Sequence, residues 1–515
     1  MKKHRLISFI KNNYLYFLFV LIHFLLNIFL FKKAYTLNSI EKNNTKYFVL
    51  FFSLTFIELL YLVIINIKCK NKYPIEKLFL ILIIPIGLMY MLFLPFGQVP
   101  DENTHYARIY SISDGHLVSE VAKDGYTYAL MPKNVVSTFS YSKNKKYALV
   151  RNHILDSNSK ENTYSIFTNM ALYNFIVYIP QVTGVLIGRL LHLPYLIVMY
   201  LARLFNLMSF VFLMYQSIKR IPYLKKYILF ISLLPIIVQE AASFSSDALT
   251  ISISFFLISY ILYLKEKKEF LTKKEYLILF ISSIICSMSK IVYIPIILLA
   301  YILPKDLFKS KKDKIIKISI MILICIIING GWTLYATRYL IEYNAGVDSK
   351  AQLKYILTHP INYIYNILKT MVIFGPGFIY QAYGRKLGLL DVDVGRYYPI
   401  GAVLMTIYLS ITNRFKEKKN SIIEGVMYLL VPLAIVGLIF TSLYIQWTPV
   451  SKDIIDGVQG RYFIPLLLFI PLIFMRINKS KDNRIMNEKN DLKYIISFIV
   501  FENINAIAFI IFANL

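Results

Sequence analysis

Apolar runs long enough to cross a bilayer recur along the whole chain, and nothing else in the sequence limits the fold as tightly. They lie at about 13–31, 47–67, 77–96, 195–217, 227–243, 248–264, 276–289, 291–303, 315–335, 397–413, 423–444, 461–475 and 493–513. A bilayer core asks for about 20 apolar residues in a helix. Inside lipid such a run must be helical, because every backbone N–H and C=O has to be paired within its own segment. Composition agrees: 57% of the residues are hydrophobic and only 17% charged, where a soluble protein carries about a quarter. A length of 515 residues would allow several soluble domains, but there is too little charge to cover their surfaces, and the hydrophobicity excludes disorder. The expected fold is an all-α polytopic membrane protein with about 13 transmembrane helices.

Charge sets the expected orientation. Lys and Arg number 57 against 29 Asp and Glu, a formal net charge of +28. The excess is concentrated in the short loops 2–11, 68–77, 219–226, 265–274, 305–317, 414–419 and 476–493, and short basic loops stay cytoplasmic. All of them share one side only if the segment 171–191, interrupted by Pro180, Gly184, Gly188 and Arg189, does not cross. That segment reads as a juxtamembrane or re-entrant helix on the outer face. The N-terminus is then cytoplasmic and the C-terminus outside, in a multi-pass protein of the cell membrane. Loop 32–46, with Lys32, Lys33, Lys42 and Lys46, dissents. Trp332 and Trp447 support the assignment by falling at outer ends of spans. The first run follows Lys2, Lys3 and Arg5 like a signal peptide, but Lys32-Lys33-Ala34-Tyr35 offers no small-residue cleavage site, so it reads as an uncleaved span. The basic charge therefore orients the chain in the lipid bilayer, and nucleic acid is not an expected partner. Cys69, Cys286 and Cys325 cannot form a disulfide framework.

Three regions follow: the N-terminal spans (1–96), a first large outer loop with a juxtamembrane helix (97–194), and the remaining bundle (195–515) with a second outer loop at 338–399. Within the latter, Ile361, Ile364, Tyr365 and Leu368 share one face at helical spacing, which suits a helix lying along the membrane surface.

The most informative stretch follows the third run: Pro100-Asp101-Glu102-Asn103-Thr104-His105-Tyr106-Ala107-Arg108. If a helix begins at Asp101, His105 shares its face four residues on, and Arg108 follows one turn later. A carboxylate at such a mouth can take a proton from a hydroxyl, and cations can hold an anionic leaving group. Pro-Asp before a helix is also an ordinary N-cap signal, and position alone does not separate the two readings. Acids are scarce here, and acids at a span mouth are costly unless used.

This stretch resembles the P-D-E-x-x-H-x-x-R signature of a family of bacterial multispan proteins that is similar to the GT-C glycosyltransferases, such as protein mannosyltransferases and aminoarabinose transferases. Further matches are Tyr178-Ile179-Pro180-Gln181 with Gly188-Arg189-Leu190, Ala202-Arg203-Leu204 with Asn206, Ser245-Ser246-Asp247-Ala248-Leu249, Ser289-Lys290, and Gly457-Val458-Gln459-Gly460-Arg461-Tyr462-Phe463. Together they cover about 95–465. The resemblance implies a GT-C-like fold, a polyprenyl-phosphate-linked sugar donor used on the outer face, and Asp101 as catalytic base. Two features depart from the pattern: the acid follows the third span rather than the first, and Leu172-Tyr173-Asn174 stands where Tyr-Pro-Pro is usual.

Other groups add to the candidate site. Lys290 sits in a polar break, Ser287-Met288-Ser289-Lys290, and reads either as a phosphate ligand or as a snorkelling interfacial lysine. Arg461 opens a span after two glycines, where it can clamp a phosphate or anchor the interface. Arg203 lies about two turns inside its span, which calls for a buried structural or phosphate role. Gln459 and Tyr462 flank Arg461. Asp247 at the head of its span reads first as a helix cap. Asp391-Val392-Asp393 has the DxD form of metal-binding nucleotide-sugar enzymes, but turn acids explain it more simply; His153, His192 and His359 are isolated. No CxxC, HExxH, P-loop or Gly-rich dinucleotide motif is present. A divalent cation could be held by Asp101, Glu102 and His105, although a site rich in Lys and Arg can hold a monophosphate without one.

The expected function is transfer of a sugar from a polyprenyl-phosphate donor to a hydroxyl of a cell-envelope glycan or polymer, with inversion. Asp101 and Glu102 would be catalytic, and His105, Arg108, Lys290, Arg461, Arg203, Gln459 and Tyr462 would bind substrate or phosphate. The alternative is a transporter or flippase of lipid-linked sugars, which calls for internal pseudo-symmetry and acids near the midplane. Neither stands out in the sequence.

Overall fold

A computed structural model describes residues 18, 20–22, 24–32, 44–70, 73–141, 145–339, 345–412, 422–477 and 488–514. The loops expected at 2–11 and 414–419, and most of 32–46 and 476–493, lie outside the described residues. After the apolar stretch Val20–Lys32, the chain runs through α1 (Asn44–Lys70), α2 (Ile75–Phe93) and α3 (Glu102–Ser113). The first loop region carries β1 (Tyr128–Pro132), α4 (Lys133–Ser140), α5 (Lys146–His153), β2 (Asn162–Ile166) and α6 (Thr168–Ala171), then a short 3₁₀ turn and α7 (Ile179–Leu190). The bundle continues with α8 (Tyr195–Arg220), α9 (Lys225–Ser232), α10 (Pro235–Ala241), α11 (Asp247–Lys265), α12 (Lys273–Ser289), a 3₁₀ segment at Ile291–Ile302, and α13 (Lys311–Ala336). Next come α14 (Ser349–Thr358), α15 (Pro360–Ala382), β3 (Lys386–Leu387), β4 (Val392–Asp393), α16 (Tyr397–Thr412) and α17 (Ile422–Gln446). A 3₁₀ segment at Gly460–Leu468, α18 (Phe469–Ile477) and α19 (Glu488–Asn514) close it. The strands form only two antiparallel hairpins, β1–β2 and β3–β4.

Every apolar run is mainly helical where it is described, but the runs are not equal. Among the described residues, 6 helices are long and apolar enough to cross a membrane: Ile75–Phe93, Tyr195–Arg220, Asp247–Lys265, Lys311–Tyr339, Ile422–Gln446 and Leu492–Asn514. The others are shorter or broken. The run at 227–243 divides at Leu234, which is extended ahead of Pro235; proline cannot continue the preceding turn. Lys290 is extended between α12 and the 3₁₀ segment, and Gln459 is extended before Gly460–Leu468. Breaks of this kind are tolerated at membrane depth where protein or a cavity surrounds them.

Segment 171–191 is helical but short. Its α7 spans about 18 Å at about 1.5 Å per residue, shorter than a bilayer core. It lies against α8 through Gly184, where an added Cβ would come within 2.5 Å of the Leu201 carbonyl oxygen. Helix α15 turns its polar residues inward, with Asn366 and Thr370 buried, and leaves Ile361, Ile364, Tyr365 and Leu368 exposed. The apolar face expected at helical spacing is therefore the outward face of α15.

The interior holds one expectation to correct. α11 and α19 are buried on nearly all sides, and α19 carries Glu502 near its middle, fully buried. Glu58, also buried, sits near the middle of α1. Acids near mid-span are therefore present. They escape a sequence reading because each is a single acid in a long apolar run on a different helix.

Candidate functional site

Asp101 precedes α3 in the left-handed conformation, at φ 62° and ψ 15°. Aspartate is one of the few non-glycine residues that enters this region readily, at a cost of about 1–3 kcal/mol. Its side chain makes no cap hydrogen bond, so the N-cap reading does not hold. Instead its backbone carbonyl accepts from the His105 amide at 2.9 Å and the Thr104 hydroxyl at 2.8 Å. This leaves the carboxylate, 49% exposed, facing Arg461 Nη2 at 3.3 Å.

Glu102 turns the other way. Its Oε1 accepts from Arg203 Nη2 at 2.6 Å and Nε at 3.0 Å, and its Oε2 accepts from the Gly97 amide at 2.7 Å. Both side chains are fully buried. Arg203 also donates to the carbonyls of Leu94 at 2.6 Å, Met91 at 3.2 Å and Pro95 at 3.3 Å, and its guanidinium lies 4.4 Å from the Phe96 ring centre. The pair thus fastens the start of α3 to the end of α2. The acidic pair is divided by role: Glu102 and Arg203 hold each other, and Asp101 alone faces open space. Arg108 likewise works inside the fold, donating to the His116 and Leu117 carbonyls at 3.1 and 2.7 Å and to Ser119 Oγ at 2.7 Å. It organises the turn after α3 and does not join Asp101.

Arg461 is the hub of the cluster that does form. Besides Asp101 it meets Asp247 Oδ2 at 3.6 Å through Nε and Glu240 Oε1 at 3.7 Å through Nη1. Asp247 in turn holds Lys290 Nζ at 2.5 Å. The Lys290 ammonium lies 5.0 Å from the Tyr462 ring centre and 5.5 Å from that of Tyr173. Tyr293 donates its hydroxyl to the Tyr462 carbonyl at 2.9 Å. Residues far apart in sequence, on α3, α10, α11 and two broken segments, therefore converge. Gly460 makes the approach possible: a Cβ there would fall 2.3 Å from the Phe378 carbonyl oxygen of α15, so only glycine lets Arg461 sit this close. Gln459, next to it, accepts from the Tyr462 amide through its carbonyl at 3.2 Å, and its side-chain Oε1 is buried without a hydrogen-bond partner.

His105 packs beside the cluster and shares a 2.9 Å hydrogen bond between Nδ1 and the Tyr178 hydroxyl. Burial pushes its pKa down to about 4; Asp101 and Asp247 oppose the shift, and Arg461 and Lys290 add to it. It is a neutral imidazole at ordinary pH.

Two members were not expected as site residues. Asp247 is no helix cap: Ser246 holds the N-cap position and the Asp247 carboxylate belongs to Lys290 and Arg461. Glu240 is the second, an acid within an apolar run, which is by itself a functional signal. Asp393 behaves as a turn acid, accepting from the Gly395 amide at 2.8 Å and pairing with Arg385 at 3.2 Å. Among the described residues no three His, Cys, Asp or Glu side chains gather as a metal site; of the expected trio, Glu102 is drawn off by Arg203. A cavity of about 400 Å³ lies not at the cluster but beside α3, lined by Tyr106, Tyr110, Arg189, His192 and Tyr195 among others. Arg189 is fixed there by Asp114 at 2.6 Å and by stacking 4.0 Å from the Tyr110 ring centre.

No curated protein and no solved structure matches the chain. A family model does, over residues 82–470, a span that takes in α3, every member of the cluster and all the broken segments. The chain belongs to the family of predicted membrane proteins designated DUF2142.

Proposed function

We propose that this multi-pass membrane protein is a GT-C-like glycosyltransferase that moves a sugar from a polyprenyl-phosphate carrier to a hydroxyl of a cell-envelope glycan on the outer face. The observation that carries the reading is Asp101: a strained, half-exposed carboxylate held against Arg461 at 3.3 Å. In the proposed step the acceptor hydroxyl gives its proton to Asp101 as its oxygen forms a bond to the anomeric carbon. The bond from that carbon to the phosphate oxygen breaks, and its electron pair leaves with the phosphate. Arg461 and Lys290 stabilise the departing anion. Attack from the side opposite the phosphate inverts the anomeric centre. Tyr462 and Tyr173, which flank Lys290, supply faces for the donor sugar, and Gln459 a side-chain amide for its hydroxyls. His105, neutral, supports the helix that carries Asp101.

Mass spectrometry of envelope glycans tests this in a strain lacking the protein. Restoration of a missing sugar by the wild type and not by Asp101→Asn supports the reading; restoration by both removes Asp101 as base. One observation favours a second reading, a transporter or flippase of lipid-linked sugars: the buried mid-span acids Glu58 and Glu502. That reading wins if lipid-linked sugar crosses the bilayer while no glycan is modified.

A further inference from the structure

A second polar centre lies in the membrane interior, away from the Asp101 cluster. Glu502 on α19 is fully buried, and neither carboxylate oxygen has a hydrogen-bond partner among the described residues. The Tyr90 hydroxyl of α2 and the Tyr398 hydroxyl of α16 are also buried without partners. Both are within electrostatic reach of Glu502. Tyr398 packs on α19 with its ring centre 5.8 Å from that of Phe501. One turn along α19, Asn505 donates to Asn27, and Asn27 donates to Glu58 of α1. Tyr398 is within reach of Glu58 as well, and the Asn505 Oδ1 atom has no partner among the described residues. The groups facing this centre are therefore Glu58 from α1, Tyr90 from α2, Tyr398 from α16, and the asparagines. Among the described residues neither carboxylate has a Lys or Arg within ion-pair distance.

An ionised carboxylate in such a place is untenable unless a positive charge accompanies it. The unpartnered atoms of the centre are oxygens, from Glu502, Tyr90, Tyr398 and Asn505, the donor type that suits a hard cation. Intramembrane acids facing a bundle interior are rare and mark ion or proton sites. We propose that Glu502, with Tyr90, Tyr398 and the Glu58–Asn27–Asn505 chain, is an exchangeable site for a small monovalent cation, a proton or a sodium ion. The site stands whether or not the protein transfers sugar.

The test uses the full chain in detergent, in sodium-free choline buffer. Sodium chloride is titrated calorimetrically, and thermal stability is followed against pH. If sodium is the ligand, wild type gives saturable heat whose apparent affinity weakens by up to tenfold per pH unit as protons compete, and Glu502→Gln gives none. If the proton is the ligand, sodium gives no heat, but wild-type stability titrates with pH in a step that Glu502→Gln lacks. Tyr398→Phe, which keeps the ring packed on α19, shifts the sodium affinity or the pH midpoint by several-fold. Wild type and Glu502→Gln responding identically to both cations would overturn the proposal. Should Glu502→Gln fail to fold, Glu58→Gln and Tyr398→Phe carry the same comparison, and an unchanged response in both overturns it.

Discussion

Replacing Glu102 by Gln separates the fold from the chemistry. The substitution keeps the shape and removes the charge that faces Arg203. Arg203 then keeps its bonds to the carbonyls of Leu94, Met91 and Pro95 and can still donate to the side-chain oxygen of the introduced glutamine, but no anion remains beside it in a fully buried pocket. Breaking a buried ion pair by removing one partner costs about 3–5 kcal/mol, and the lost bond from the Gly97 amide to Oε2 adds about 1 kcal/mol. The variant should therefore melt well below wild type in detergent. The double variant Glu102→Gln/Arg203→Met should recover part of the loss, because no uncompensated charge remains. The folded fraction of Glu102→Gln should still turn over, since Asp101 keeps its place beside Arg461. Thermal unfolding by intrinsic fluorescence, with size-exclusion chromatography to count folded protein, reads both effects. A Glu102→Gln protein as stable as wild type, or a fully folded one without activity, would refute the assignment of Glu102 to structure.

Other outcomes follow from the same geometry. Lys290→Met leaves Asp247 with Arg461 as its remaining cation, so donor binding should weaken by tenfold or more in a titration with polyprenyl phosphate. Gly184→Leu should lower the melting temperature sharply, since even a Cβ lies 2.5 Å from the Leu201 carbonyl oxygen, and overpacking of this kind costs about 1–3 kcal/mol or more. His105 is neutral when folded down to a pKa of about 4, whereas in the unfolded chain it titrates near about 6.5. Between these values the unfolded state binds more protons, so stability falls as pH drops through that window, by about 3 kcal/mol at most. His105→Gln should flatten that part of the stability profile.

The sequence makes the membrane character plain because its signal is repeated: each apolar run is a separate statement that the backbone must be helical. The breaks at Lys290 and Gln459 are also legible, as polar or glycine-containing interruptions of apolar runs. The division of Asp101 from Glu102 is not legible. It depends on a left-handed backbone at one residue and on an arginine about a hundred positions away, and adjacent letters carry neither. The role of Asp247 is hidden for a related reason. A lone acid at a helix start satisfies the capping rule, and only the fold brings Lys290 and Arg461 to it. Glu240, Glu58 and Glu502 were each visible as acids within apolar runs, but their neighbours come from other helices, so sequence spacing gave no hint of a shared site.

In the proposed reaction Asp101 takes the proton of the acceptor. The most direct measurement is the rate of sugar transfer from a polyprenyl-phosphate donor in membranes carrying wild type or Asp101→Asn, at equal amounts of folded protein. Asn keeps the size and the contact with Arg461 but cannot accept the proton, so the rate should fall by about 10²–10⁴-fold with the melting temperature little changed. Transfer by Asp101→Asn at the wild-type rate would contradict the account.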